Sequence, residues 1–203
     1  MSPVTHPPRP RGARGREALL DDLIELYLAE GFLRFGVAEL AARLRCSKST
    51  LYLIAESKEQ IIVTAVRAFF RRATEHVETR VAEHAGSASA VGVYLAAIAE
   101  ELRPASPAFF ADLDAFEPAG RIYQQNTRIA ARRVQALVRS VDDAPGPLTS
   151  AFVGAVAGQV MEAIHRGEIE ALTGLDDSNA YHQLAALLTA GTDHPSGERT
   201  QPA

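Results

Sequence analysis

Apolar positions recur at helical rather than strand spacing along most of this 203-residue chain. Leu19, Leu20, Leu23, Ile24, Leu26 and Tyr27, with Asp21, Asp22 and Glu25 between them, predict a helix over 16–30 that Gly31 stops. Val37, Leu40, Ala41 and Leu44 make a second, short stripe, and Ser47 caps a third short helix carrying Leu51 and Ile54. Neither of these is long enough to stand alone. Ser57 caps a long helix that starts at Lys58, with Glu59 and Gln60 in its first turn and Ile61, Ile62, Ala65, Val66, Phe69 and Phe70 on its apolar face. Running to about Ala85 before Gly86, it would span roughly 40 Å, enough to leave one subdomain and enter another. Further helices are predicted over 88–102, ended by Pro104, over 107–116, bounded by Pro118, and over 118–141. Pro145 and Pro147 break the chain before helices over 148–167 and 177–190. No segment alternates like a strand between hairpin turns, so the expected fold is all-α, with about nine helices and no internal repeat.

Composition agrees with a globular domain. A hydrophobic share of 47% and a charged share of 23% exclude a disordered, collagenous or multi-span chain. With no Trp, a single Cys (Cys46) and no Cys/His cluster, a disulfide scaffold is excluded and nothing points to a metal or a cofactor. Neither an apolar run of roughly 18–20 residues nor a secretion signal is present, so no membrane partner is expected and the expected compartment is the reducing cytoplasm. The net charge of -4 hides an asymmetry: residues 1–80 hold 13 Lys/Arg against 10 Asp/Glu, whereas residues 81–203 hold 8 against 15. Attraction for a polyanion belongs to the first half, and the second half repels one.

The block Phe35 to Lys58 reads short helix, tight turn at Arg45 and Cys46, short helix, turn, long helix, which is helix-turn-helix spacing. Two such short helices bury too little surface alone, so residues 16–30 and 58–72 must complete a three-helix core. The second short helix presents Lys48, Ser49, Thr50 and Tyr52, side chains that donate to phosphates and base edges. Across 31–58, Arg34, Arg43, Arg45, Lys48 and Lys58 face only Glu39 and Glu56, a local excess of three positive charges. The alternative is an αα-hairpin within an ordinary helical core, with Lys48, Thr50 and Tyr52 merely exposed. Spacing, charge and side-chain type agree on the DNA-facing reading.

From Leu40 to Ile61 the chain reads LAARLRCSKSTLYLIAESKEQI, which resembles the signature of the TetR family of bacterial transcriptional repressors. The resemblance covers about 45 residues, from Arg16 to about Ile61; the remainder matches only as an all-helical segment of suitable length. It implies that Ser47, Lys48, Thr50 and Tyr52 contact operator DNA and that Lys58 binds a phosphate, with Arg45 and Ser49 completing the DNA-facing set. Gly36 stands where the family has a capping Thr, and Ile54 and Ala55 replace an aromatic pair, removing one phosphate contact. Arg9, Arg11, Arg14 and Arg16 of the arm either reach into a minor groove or only solubilise the chain.

The same resemblance divides the chain into a disordered basic arm (1–15), a helix-turn-helix DNA-binding domain (16–60), a helical ligand-binding and dimerisation domain (61–191) and a flexible tail (192–203). It implies a homodimer whose two recognition helices meet a palindromic operator. The dimer face is expected on Ala151, Gly154, Ala155, Gly158, Met161, Tyr181, Leu184 and Leu188, unless Gly154 and Gly158 face neighbours within one chain. A small-molecule effector pocket is expected among Tyr94, Ile98, Phe109, Phe110, Leu113, Phe116, Tyr123, Asn126, Phe152 and Gln159, each of which also reads as plain core. Arg128 and Arg132, one turn apart, either bind an anionic ligand or belong to a solvated face pairing with neighbours such as Glu117. An enzyme is disfavoured: Glu162 and His165 have di-iron spacing but no second such pair, and no phosphate-binding Gly loop, GxSxG or HExxH motif occurs. The expected function is therefore a ligand-responsive repressor, the alternative being a helical adaptor that never touches DNA.

Overall fold

Amphipathic stripes of period 3.6 can bury their apolar faces only against other helices. In the computed structural model, which describes residues 11–87, 89–141 and 150–192, every regular element is a helix. The ten are α1 (Arg11–Glu30), α2 (Val37–Arg43), α3 (Lys48–Leu51), α4 (Lys58–Ala82), α5 (Ala90–Leu102), α6 (Pro107–Ala115), α7 (Glu117–Val141), α8 (Ser150–His165), α9 (Glu168–Thr173) and α10 (Asp177–Thr192). Two details differ from the sequence reading. First, α1 begins at Arg11 rather than Arg16, because adding a turn of Arg, Gly and Ala to an existing helix needs no new nucleus and no burial. Second, α9 is additional: it buries no side chain, so it leaves no apolar stripe to read, and the left-handed Gly167 and Gly174 bound it. The rest of the expected arm (1–10, with Arg9), the linker with Pro145 and Pro147, and the tail beyond 192 lie outside the described residues.

The chain divides into two units. The first comprises Met1–Phe69 and Pro104–Gly120, the second Phe70–Arg103 and Arg121–Ala203, so the division falls inside α4 and α6 belongs to the first unit. In the first unit Leu23, Phe32, Phe35, Leu40, Leu51, Ile61 and Leu113 are wholly buried. Phe32 stands edge-on to Phe109 at 5.9 Å, and Phe109 in turn meets Phe69 at 6.0 Å. Packing of α6 on α1 rests on Gly31, whose φ of +75° stops α1 and whose missing Cβ would lie 3.1 Å from the Ala108 carbonyl.

In the second unit α10 lies along α5, and the approach is closest where a Cβ on Gly92 would strike the Thr189 hydroxyl. Helices α7 and α8 run antiparallel, with Gly154 opposite Gln135 and Gly158 opposite Ala131. Leu95, Val134, Met161, Tyr181 and Leu184 are buried in this unit.

Candidate nucleic-acid interface and ligand cavity

The turn between α2 and α3 is a Schellman motif. The Cys46 N–H donates to the Ala41 carbonyl at 2.9 Å and the Arg45 N–H to the Ala42 carbonyl at 3.2 Å, which places Arg45 in the left-handed region at φ 51°. The helix after the turn is capped as its sequence predicts: the Ser47 hydroxyl accepts from the Thr50 N–H at 3.1 Å and lies 2.7 Å from both the Ser49 and Thr50 hydroxyls. Leu51 and Ile54 point into the core, while Ser47, Lys48, Ser49 and Tyr52 are exposed. Gly36 at the start of α2 makes no side-chain cap.

Charge is distributed differently from the sequence expectation. Arg34 donates to Glu30 at 2.5 Å, Arg43 also pairs with Glu30, and both guanidiniums lie over the Phe35 ring. Lys58 spends a donor on the Leu33 carbonyl at 3.0 Å, and the Leu33 N–H donates to Asp112 of α6 at 2.8 Å, as does the Phe32 N–H. Of the five basic residues, Arg45 and Lys48 alone lack a protein partner among the described residues. Arg16, expected in the arm, donates to the carbonyls of Leu53 and Ile54 at 2.9 and 3.2 Å. It ties down the turn after α3 rather than reaching outward, a role that no local pattern signals. The side chains of Arg11 and Arg14 lie outside the described residues.

The second unit holds a cavity of about 80 Å³ between α4, α5 and α7, with Tyr181 of α10 also lining it. Four expected residues line it: Tyr94, Ile98, Tyr123 and Asn126. Phe70 stacks on Tyr123 with ring centres 5.5 Å apart, and the Tyr123 hydroxyl donates to the buried Asp177 carboxylate. The Asn126 Nδ2 and the Thr127 and Thr74 hydroxyls donate to carbonyls one turn back, so the walls are mainly apolar, with the carboxylates of Glu78 and Glu101 also among the lining residues. Glu78 at the edge is held by Arg133 through bonds of 2.8–3.1 Å, which push the Arg133 guanidinium pKa up. Burial pushes the Tyr94 phenol pKa well above its ordinary value.

The other expected pocket residues lie elsewhere. Phe109 and Leu113 are buried in the core of the first unit, where Phe110 packs on Phe109 and Phe116 meets Phe32 at 6.4 Å, because α6 closes the core beneath the turn. Phe152 is 57% exposed on α8. Gln159 lines a separate groove between α7 and α8.

The residues expected at a dimer face divide by burial within the single chain. Met161, Tyr181 and Leu184 are buried within one chain, since these bulky positions fill the gap to the neighbouring helices. Gly154 serves the contact with Gln135, and Gly158 that with Ala131, so both glycines face a neighbour in the same chain. Ala155 is exposed and Leu188 half-buried, and the side chain of Ala151 lies outside the described residues. Phe152 on α8 and Leu187 on α10, the latter 65% exposed, carry the large apolar surface of these two adjoining helices. Among the described residues no group of three or more His, Cys, Asp or Glu side chains is placed to hold a metal ion, and no helix is long and apolar enough to cross a membrane.

No protein-family model matches the chain, and no curated protein does. Solved structures do match. A transcriptional regulator (TerR/AcrR family) from Aquifex aeolicus VF5 superposes with a TM-score of 0.57 at 17% identity, over 87% of this chain and 96% of that one. A TetR-like transcriptional regulator from Rhodococcus sp. RHA1 does so with a TM-score of 0.53 at 16% identity, over 92% and 98%. The chain therefore has the fold of TetR-like regulators, with a helix-turn-helix unit at its amino end and an all-helical second unit.

Proposed function

We propose that the protein is a homodimeric transcriptional regulator of the cytoplasm that grips a palindromic operator and, acting as a repressor, lets go when a small molecule binds. The observation that carries this reading is a capped helix following a tight turn, with Arg45, Lys48, Ser49 and Tyr52 directed outward, in a fold shared with transcriptional regulators. Arg45 and Lys48 supply phosphate contacts, while Ser49, Thr50 and Tyr52 reach base edges or sugar. Ser47 organises these groups more than it contacts DNA, because its hydroxyl is already occupied as a cap. Lys58 works chiefly inward, holding the loop after α1 against Asp112.

The effector enters the cavity between Tyr94, Ile98, Tyr123 and Asn126. Its present volume is below the roughly 300–1,000 Å³ of ordinary ligand sites, so binding must part its walls, and that difference between states is the lever on DNA affinity. Dimerisation uses the exposed Phe152 and Leu187.

The test is selection of bound duplexes from random DNA, followed by affinity measurements at two salt concentrations. The selected duplex should bind with a steep negative salt dependence, and Lys48→Ala and Tyr52→Ala should each weaken it about tenfold or more. Binding without a salt slope, or none at all, would leave the helical adaptor as the reading.

A further inference from the structure

Beside the apolar cavity, and sharing only Thr127 with it, a groove of about 490 Å³ opens between α7 and α8. Its chemistry is opposite to that of the cavity. Arg128, Arg132 and Arg166 line it together with the amides of Gln135 and Gln159, against one carboxylate, Glu162. These are three of only eight basic residues in the acidic half of the chain. Arg166 is engaged by Glu168 at 2.6 Å and is 4.0 Å from Glu162. Arg128 and Arg132 have no acidic partner among the described residues.

The space itself is built by small residues. Gly158 faces Ala131 across the two helices, where an added Cβ would sit in ordinary contact 3.6 Å from the Ala131 Cβ, and Ala155 also lines the groove. Along the groove, side chains at i and i+4 place two guanidinium forks roughly 6 Å apart at their Cβ atoms. Each fork is shaped to grip a carboxylate or phosphate through two N–H donors. A purely solvated helix face has no such concavity, and Glu117 is not among the residues lining the groove: it lies about three turns before Arg128 on α7.

We propose that this groove is a binding site for a small molecule bearing two anionic groups, one held by Arg128 and the other by Arg132, with the glutamine amides taking its remaining polar atoms. The site shares only Thr127 with the apolar cavity, and the proposal does not depend on whether the protein binds DNA.

The chain lacks Trp, so calorimetric titration of the full-length protein at low chloride is the suitable measurement, with citrate and pyrophosphate as separate probes. At least one probe should bind with one site per chain, and the tighter of the two identifies the anion as carboxylate or phosphate. Arg128→Ala and Arg132→Ala should each weaken that binding at least tenfold, the double variant should abolish it, and lysine at both positions should retain part of it. Arg139→Ala on the same helix and Arg67→Ala on α4 should titrate like the unaltered protein. All the altered arginines are exposed, and the lysine variants carry the test should an alanine variant lose helicity. The proposal is overturned if neither probe binds, if binding survives the double variant, or if the two control variants lose it equally. It is also overturned if the double variant changes the molecular mass by light scattering, which would make the groove a contact between copies of the chain.

Discussion

Two side chains in the first unit sit against their own chemistry. The Tyr27 hydroxyl is buried among Ile24, Leu28, Val66, Phe69 and Phe109 and has no hydrogen-bond partner among the described residues. Desolvating a hydroxyl without compensation costs about 1–3 kcal/mol, so Tyr27→Phe should leave stability unchanged or raise it by about 1 kcal/mol, read from the denaturant midpoint. A loss of more than about 1 kcal/mol would reveal a hydroxyl contact that is missing from this account. Arg45 holds a left-handed conformation that glycine adopts freely. Arg45→Gly should stabilise the fold by roughly 0.5–1 kcal/mol, the relief of strain being partly offset by a freer unfolded chain, while the proposed operator binding weakens. Thermal melting and DNA titration must therefore move in opposite directions, and a fall in both would contradict the turn geometry. The sequence placed Arg45 in a tight turn, but its φ became visible only with the two Schellman bonds.

Among the helices, those that bury a full apolar stripe were legible within a residue or two of their ends at most caps: Ser47 and Ser57 mark starts just where helices begin. What periodicity did not reveal is which neighbour a stripe meets. The apolar face of α6 reads equally as cavity wall or core, and the Asp112 carboxylate, accepting the Phe32 and Leu33 N–H groups, ties α6 to the loop after α1. Small residues of α8 pose the same ambiguity, resolved by the close approach to α7. A Cβ on Gly154 would lie 2.3 Å from Gln135 Cγ and 3.1 Å from its Cα, so backbone as well as side chain must yield. Gly154→Val should therefore cost about 1–3 kcal/mol by chemical denaturation. An unchanged midpoint would mean that α7 and α8 do not meet at this point.

At the level of the complete chain, burial raises the phenol pKa values of Tyr27, Tyr94 and Tyr181 above the ordinary 10.0. In the unfolded chain these groups ionise near 10.0, whereas in the folded one they stay protonated to higher pH. Their contribution to stability is thus complete below that value and declines as pH rises beyond it. Denaturant midpoints at pH 8 and 11 should show this loss, and Tyr181→Phe should reduce it; a pH-independent midpoint would contradict the burial. If the protein assembles as proposed, the pair Phe152→Asp and Leu187→Asp should convert that proposed dimer to a monomer in sedimentation while helicity is preserved. A dimer that survives both changes would place its interface elsewhere.

From the order of residues alone came the helical class, the turn between the two short helices and the exposed Lys48, Ser49 and Tyr52, because period, caps and turn chemistry act over a few neighbouring positions. Three outcomes needed the folded chain: Arg16 and Lys58 captured by backbone carbonyls, Met161, Tyr181 and Leu184 withdrawn into the interior, and Arg128 with Arg132 set along a groove that small residues also line. Each depends on a partner dozens of positions away or on a different helix. Which distant surface fills a given face is settled by volume and close packing, and helical spacing carries no record of it.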